Sequence, residues 1–401
     1  MKLTAFLLLI PALLSSCNNS GSRKEMKDHS KLPYRIDLTK SEPKDLFLSE
    51  FAEDVSYVRL ESKVVNLGSW VSVDAYSDRF IVTDYHQEFM VFSREGKFLN
   101  KVGNIGRGPS EYDASINCQY DPENNKYYVP LTGKDLVLVF NRYGKYEKTF
   151  RFTGYSDNMQ LRYTRSRFYA TGRTVPTDKY YPLAIYKADG TLLKQYQVAL
   201  PELDEQPTTS PFGTLSLTPG NDVLLAEYSW DTTYLISDSG DWIPYAVYNR
   251  GPGQMPEYER FLSGRIRFYA KQLCIASSIR DAGPIITMMV TIPPINYLPA
   301  FFKKQTGELF QIKNFGPTDE DKTIGIQNDL DGGPRIIWQY TTKDHHACCL
   351  HQAIDLIEWK KSGYFDRIDP KFPEKKEKLF AMIDSLKPDD NPVIMIVKLK
   401  E

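Results

Sequence analysis

Neither sign of charge prevails in this sequence: 50 Lys and Arg stand against 51 Asp and Glu, a formal net charge of −1. No basic cluster exceeds a few residues, so the electrostatic footprint of nucleic-acid binding is missing and nucleic acid is not expected as a partner. Cysteine is scarce, five in 401 residues, which excludes a small disulfide-stapled scaffold. Cys348 and Cys349 are chain neighbours, too close to bond each other; with Cys118 and Cys274 they read as small core residues. No Gly-x-Ser-x-Gly elbow and no Gly-Lys-Ser/Thr phosphate loop occurs, and five scattered histidines nominate no Ser or Cys triad. Beyond the first seventeen residues no apolar run is long enough to cross a bilayer.

What the sequence does contain is a turn that recurs. Between Phe80 and Gly103 two period-2 strands bracket Ser93-Arg94-Glu95-Gly96, and Asn141-Arg142-Tyr143-Gly144 repeats the arrangement, its glycine 48 positions on (144 − 96). Such hairpin turns need a residue at positive φ, which glycine adopts without steric cost. Fainter copies lie at Lys187-Ala188-Asp189-Gly190, Ser237-Asp238-Ser239-Gly240, Lys304-Gln305-Thr306-Gly307 and Lys360-Lys361-Ser362-Gly363. Six turns imply six small sheets, hence an all-β fold, a six-bladed β-propeller over residues 32–401. The 13% of aromatic residues suits half-buried strands.

The first blade reads as strands Val71–Ala75, Arg79–Asp84, Glu88–Phe92 and Lys97–Val102, after earlier strands at Tyr34–Leu38 and Val55–Leu60. Blades two to six are expected over Ile116–Phe152, Met159–Val198, Leu215–Tyr248, Ile266–Phe315 and Thr323–Trp359. Pro293, Pro294 and Pro299 predict a long projecting loop between Met288 and Phe301.

Both ends of the chain carry information. Residues 1–17 combine Lys2, an apolar run Phe6–Leu14 and Ser15-Ser16-Cys17, the layout of an export signal. The ending Leu14-Ser15-Ser16-Cys17 resembles the bacterial lipobox, which implies lipidation of Cys17 and a membrane partner through it. Residues 18–31 are polar and read as a flexible tether. At the other end Pro373 opens a short helix with Leu379, Phe380, Ile383 and Leu386 on one face. Val393-Ile394-Met395-Ile396-Val397 is apolar on both faces and must be a buried strand. Pairing it with an N-terminal strand would close the ring and remove its open edges.

On these features, Val71–Tyr112, VSVDAYSDRFIVTDYHQEFMVFSREGKFLNKVGNIGRGPSEY, is similar to an NHL-type propeller repeat. The chain after the tether resembles the six-bladed β-propeller lipoproteins of Bacteroidota. That resemblance implies an exported propeller without an assigned reaction.

Candidate ligand groups lie at strand ends and connectors. Asp84, Arg173 and Glu227, with Thr132, occupy matching strand ends, and His86 and Trp230 adjoin two of them. Asp84 reads either as a ligand group or as an Asx turn holding its hairpin. Gly103-Asn104-Ile105-Gly106-Arg107-Gly108-Pro109-Ser110-Glu111-Tyr112 is echoed by the segment from Asn249 through Arg250 to Tyr258. Arg107, Glu111 and Arg250 there either cradle an anionic or hydroxyl-rich ligand or lock a blade connector. His345, Cys349 and His351 share a strand face with soft-metal composition but match no zinc spacing. Trp70, Tyr85, Tyr155, Tyr180, Tyr181, Trp230 and Tyr297 offer rings for stacking on sugar faces. The expectation is a lipid-anchored, outer-membrane propeller, periplasmic or surface-exposed, that binds a glycan-related ligand or protein partner without a cofactor. The alternatives are a lactonase-like hydrolase using Asp84, His86, Glu227 and a divalent cation, and an accessory subunit of a membrane complex.

Overall fold

The computed structural model describes residues 30–68, 71–84, 86–113, 115, 117–131, 134–153, 158–172, 179–199, 213–227, 230–251, 274–292, 296–312, 325–336, 340–341 and 346–400. They form six sheets of mainly antiparallel strands. Blade one is Ser72–Ala75, Arg79–Thr83, Phe89–Ser93 and Phe98–Lys101; blade two is Gln119–Asp121, Lys126–Pro130, Leu136–Asn141 and Tyr146–Arg151. Blade three comprises Asn158–Thr164, Arg167–Gly172, Lys179–Lys187 and Leu192–Ala199, and blade four Thr214–Leu217, Val223–Ala226, Thr232–Ile236 and Trp242–Asn249. Blade five runs Ile275–Ala282, Ile285–Ile292, Asn296–Lys303, Leu309–Ile312. Blade six is assembled from Tyr340–Thr341, His346–His351, Val393–Leu399 and, from the other end of the chain, Ala52–Arg59. First strands touch from blade two round to blade six, and that of blade six touches blade one, which closes a propeller.

Each blade is covered on both faces by its neighbours, so its middle strands are apolar throughout rather than alternating. Phe89, Met90, Val91 and Phe92 are all buried, Phe89 and Val91 against blade two and Met90 and Phe92 against blade six. Burying a ring such as Phe92 contributes roughly 1.5–3 kcal/mol. Between blades two and three the packing is aromatic, with Phe152 against Tyr186 at 4.3 Å and Tyr128 against Phe168 at 4.9 Å between ring centroids.

The recurring glycines have two duties. Gly96, Gly144, Gly190, Gly240 and Gly307 turn between third and fourth strands at positive φ. The first three also press on the blade before: a Cβ at Gly96 would collide with the carbonyl of Arg59, at Gly144 with that of Lys101, and at Gly190 with Arg151 and Phe150. Their carbonyls accept N–H groups from the preceding blade's exit, Glu61 (2.9 Å), Gly103 (2.9 Å) and Thr153 (3.1 Å). Gly307 meets nothing among the described residues, because the fourth blade's edge is already covered: Tyr34–Asp37 adds there as a fifth, parallel strand. Glu42–Lys44 does the same beside Leu309–Ile312 of blade five.

Two sequence expectations are corrected. Gly363 is no hairpin turn; it follows helix α1 (Ala353–Lys361), at φ +71°. Blade six needs no such turn, since its third and fourth strands come from opposite ends of the chain. Residues 352–392 are instead a helical insertion between its second and third strands, where α1 packs on α2 (Pro373–Asp384) through Leu356, Leu379 and Ile383. The long proline loop is also absent: Ile285–Ile292 and Asn296–Lys303 form a regular hairpin with Ile292 opposite Asn296, and Pro293 and Pro294 between them lie outside the described residues. Pro299 fits because pairing with the outer strand begins only at Ala300, so no ladder bond is lost there.

Ring closure follows expectation. Val393–Leu399 pairs antiparallel with His346–His351 on one side and Ala52–Arg59 on the other, and Val393 through Met395 are fully buried. Asn391 locks the joint: its Nδ2 donates to the carbonyls of Glu61 and Val65, both at 2.8 Å, and its Oδ1 accepts the Leu67 N–H at 2.7 Å.

Candidate functional site

Because strands alternate in direction, the second-to-third turns and the blade-to-blade connections emerge on the same face. Most of the sequence candidates gather there. Asp84 caps its hairpin, its carboxylate accepting the Glu88 N–H at 2.8 Å, so it is an Asx-type turn residue. His86 beside it is exposed. In the connector after blade one, Glu111 folds back on the glycines and accepts the Gly108 N–H at 2.9 Å. A side chain at Gly106 would displace that carboxylate. Tyr112 is buried against Phe89 and the core of blade two, while Arg107 projects into solvent.

Blade four, across the ring, carries the other group. Glu227 and Arg250 are buried. Burial pushes the Arg250 guanidinium down, and the charges of Asp231, Tyr248 and Glu227 push it back up. The Trp230 N–H donates to the Glu227 carbonyl at 2.9 Å, and its ring packs with Tyr234 and Trp242. Trp230 is therefore part of an aromatic core on that blade. Cys17, Trp70, Tyr85, Thr132, Tyr155, Arg173 and His345 lie outside the described residues.

The soft-metal reading is not supported by the part that is described. Cys349 Sγ lies 3.3 Å from His351 Nε2. Burial raises the thiol and lowers the imidazole to about 4, so both are neutral. Among the described residues no three His, Cys, Asp or Glu side chains converge to hold a metal ion.

At the axis the structure brings together groups that sequence reasoning missed. First strands have a free inner edge whose N–H groups need partners. Side chains of the preceding blade supply several: Tyr76 OH accepts the Tyr120 N–H (3.1 Å), Gln119 that of Tyr163 (3.0 Å) and Gln160 that of Leu215 (2.8 Å). Ser216 donates to the Ile279 carbonyl at 3.0 Å. Asp74, Arg162 and Arg280 stand on the first strands of blades one, three and five, Asp74 one residue and the two arginines two residues before the last of the strand. All three keep part of their surface open. Enclosure pushes the Asp74 carboxyl up, and the charges of Arg162 and Arg280 draw it part of the way back. The signal was a lone charge between apolar neighbours, as in Val73-Asp74-Ala75 and Leu161-Arg162-Tyr163.

A family model described as a domain of unknown function, DUF4934, matches residues 33–398. A Bacteroides fragilis protein, named as a presumed exported protein, has a crystal structure similar to this chain at a TM-score of 0.64 and 15% identity. The match covers 92% of this chain and 99% of that one, and the likeness is one of fold. A Bacteroides vulgatus protein of the DUF4221 family follows at a TM-score of 0.43 and 10% identity, over 65% of this chain and 84% of its own. No curated protein matches significantly.

Proposed function

Since the chain belongs to the DUF4934 family, and since its six blades form a closed ring, we propose that it is an exported binding protein held at the outer membrane by a lipid on Cys17. The lipobox-like Leu14-Ser15-Ser16-Cys17 and the polar stretch behind it support the anchor. The ligand is glycan-related and is taken up at the propeller axis, toward the turns between first and second strands, the opposite face from the connector that carries Arg107. The observation that carries this reading is the set Asp74, Arg162 and Arg280, three part-open charges on strands that otherwise hold the ring together. Charged groups on three first strands stabilise no hydrophobic core, and retaining them in an enclosed place is the mark of a binding site.

Catalysis draws no comparable support. Asp84 is engaged in its own turn and Glu227 is buried three blades away. Two measurements test the proposal. Cys17→Ala should move the protein from the membrane to the soluble fraction, and unchanged retention would refute the anchor. A glycan and metal screen on the lipid-free protein should return a saccharide; a screen in which only a metal binds would refute the glycan reading.

A further inference from the structure

Three features narrow the chemistry of the axial ligand. First, charge at the axis comes from separate blades, so no helix or loop fixes it and the ring itself sets its spacing. Second, the other first-strand carboxylates are committed elsewhere. Asp121 accepts the Tyr163 hydroxyl at 2.8 Å, and Asp281 accepts the Tyr245 hydroxyl and the Lys304 ammonium, each at 2.6 Å. Asp74, part-open on the first strand of blade one, has no such partner among the described residues and lies within the electrostatic reach of the arginines on the first strands of blades three and five. Third, blade five bends its first strand to present its arginine. Ser277 pairs with Met289 but Arg280 with Thr287, a bulge in which Ser278 takes φ +52°. A non-glycine residue there costs about 1–2 kcal/mol, and bulges of this kind re-aim side chains. The result is that Ser277, Ser278 and Arg280 stay open while Ile275, Ala276 and Ile279 are buried.

We propose that Arg162 and Arg280 form a carboxylate-recognition pair on the axis, with Asp74 as acceptor for an adjacent hydroxyl, so that the ligand is a carboxylated sugar of the uronic acid class. This rests on the glycan-binding reading above. Guanidinium groups suit planar carboxylates because they offer two parallel N–H donors. A carboxylate acceptor suits a sugar hydroxyl, and it disfavours a fully ionised phosphate, which has no proton to donate to it.

The test is titration calorimetry of the full-length protein with galacturonate and glucuronate, the neutral sugars galactose and glucose, and inorganic phosphate. A uronate should bind at least tenfold more tightly than its neutral counterpart and than phosphate. Arg162→Gln and Arg280→Gln should each weaken uronate binding tenfold or more, and Asp74→Asn less. Arg107→Ala, on the exposed connector, should leave it unchanged. Should an arginine variant fail to fold, the methyl ester of the uronate replaces it as the test on the unaltered protein, and loss of binding on esterification is the expected result. A neutral sugar bound as tightly, with both arginine variants unaffected, overturns the carboxylate assignment while leaving glycan binding standing. Phosphate bound as tightly as uronate overturns the sugar assignment. No saccharide binding at all overturns both readings.

Discussion

Blade one and blade six carry the same four-stranded sheet and are built by opposite means. Blade one is a single run of hairpins from Ser72 to Lys101, each strand paired with the next in sequence. Blade six has its fourth strand at Ala52–Arg59 and its third at Val393–Leu399, with two helices lodged inside the connection to that third strand. The difference teaches where stability resides. A blade of consecutive hairpins is held by local turns, whereas the composite blade joins its second, third and fourth strands by pairing of distant segments.

The sharpest way to break the comparison is to remove the last strand. Deleting Val393–Glu401 should abolish cooperative folding, read as loss of a thermal transition; a truncated protein melting like the full chain would show that blade six does not close the ring. At the joint between the two blades, Gly96→Ala should cost about 3 kcal/mol, the sum of a strained positive φ and a collision with the Arg59 carbonyl. Asn391→Ala should cost about 2–3 kcal/mol in urea denaturation, because it leaves the Leu67 N–H and two carbonyls without partners.

Acid should tell the two blades apart as well. His351, hemmed in by Trp359 and Cys349, has its imidazole lowered from 6.5 to about 4 by burial. The unfolded chain then binds a proton that the folded one does not, so stability falls as pH drops below the unfolded value. Between pH 7 and pH 5 the loss should be about 2 kcal/mol, and His351→Leu should remove that part of the acid sensitivity. The smallest effect is the control for the glycines: Gly307→Ala, with the same positive φ but open space around it, should cost only about 1 kcal/mol. Equal effects at Gly96 and Gly307 would mean that docking on the preceding blade contributes nothing.

The parts of this fold that were legible in the sequence are those set by local constraints. Gly96 and Gly144 stand out because turn conformation and close backbone approach both demand glycine, and Val393–Val397 stands out because a strand apolar on both faces must have two neighbours. Tyr34–Asp37 was recognisable as a strand, but its parallel partner at Ala246–Asn249 was not, since nothing near Tyr34 specifies a segment so far along the chain. Gly363 misled because a glycine after a helix and a glycine in a hairpin satisfy the same preference for positive φ. At the candidate site, Asp84 and Glu111 drew notice as charged residues in glycine-bearing turns, and their carboxylates serve those turns. Arg162 and Arg280 passed unnoticed because only the closed ring brings their strands and that of Asp74 round one axis.

The composite blade also dictates a timetable. Ala52–Arg59 is among the first of the described strands to be synthesised, and the strand that covers its edge is the last of them. Until the polypeptide is complete, that early strand offers its unmatched backbone to any passing chain, so productive folding has a high contact order and a long vulnerable interval. Slow maturation is the corollary of joining a circle by its two extremities.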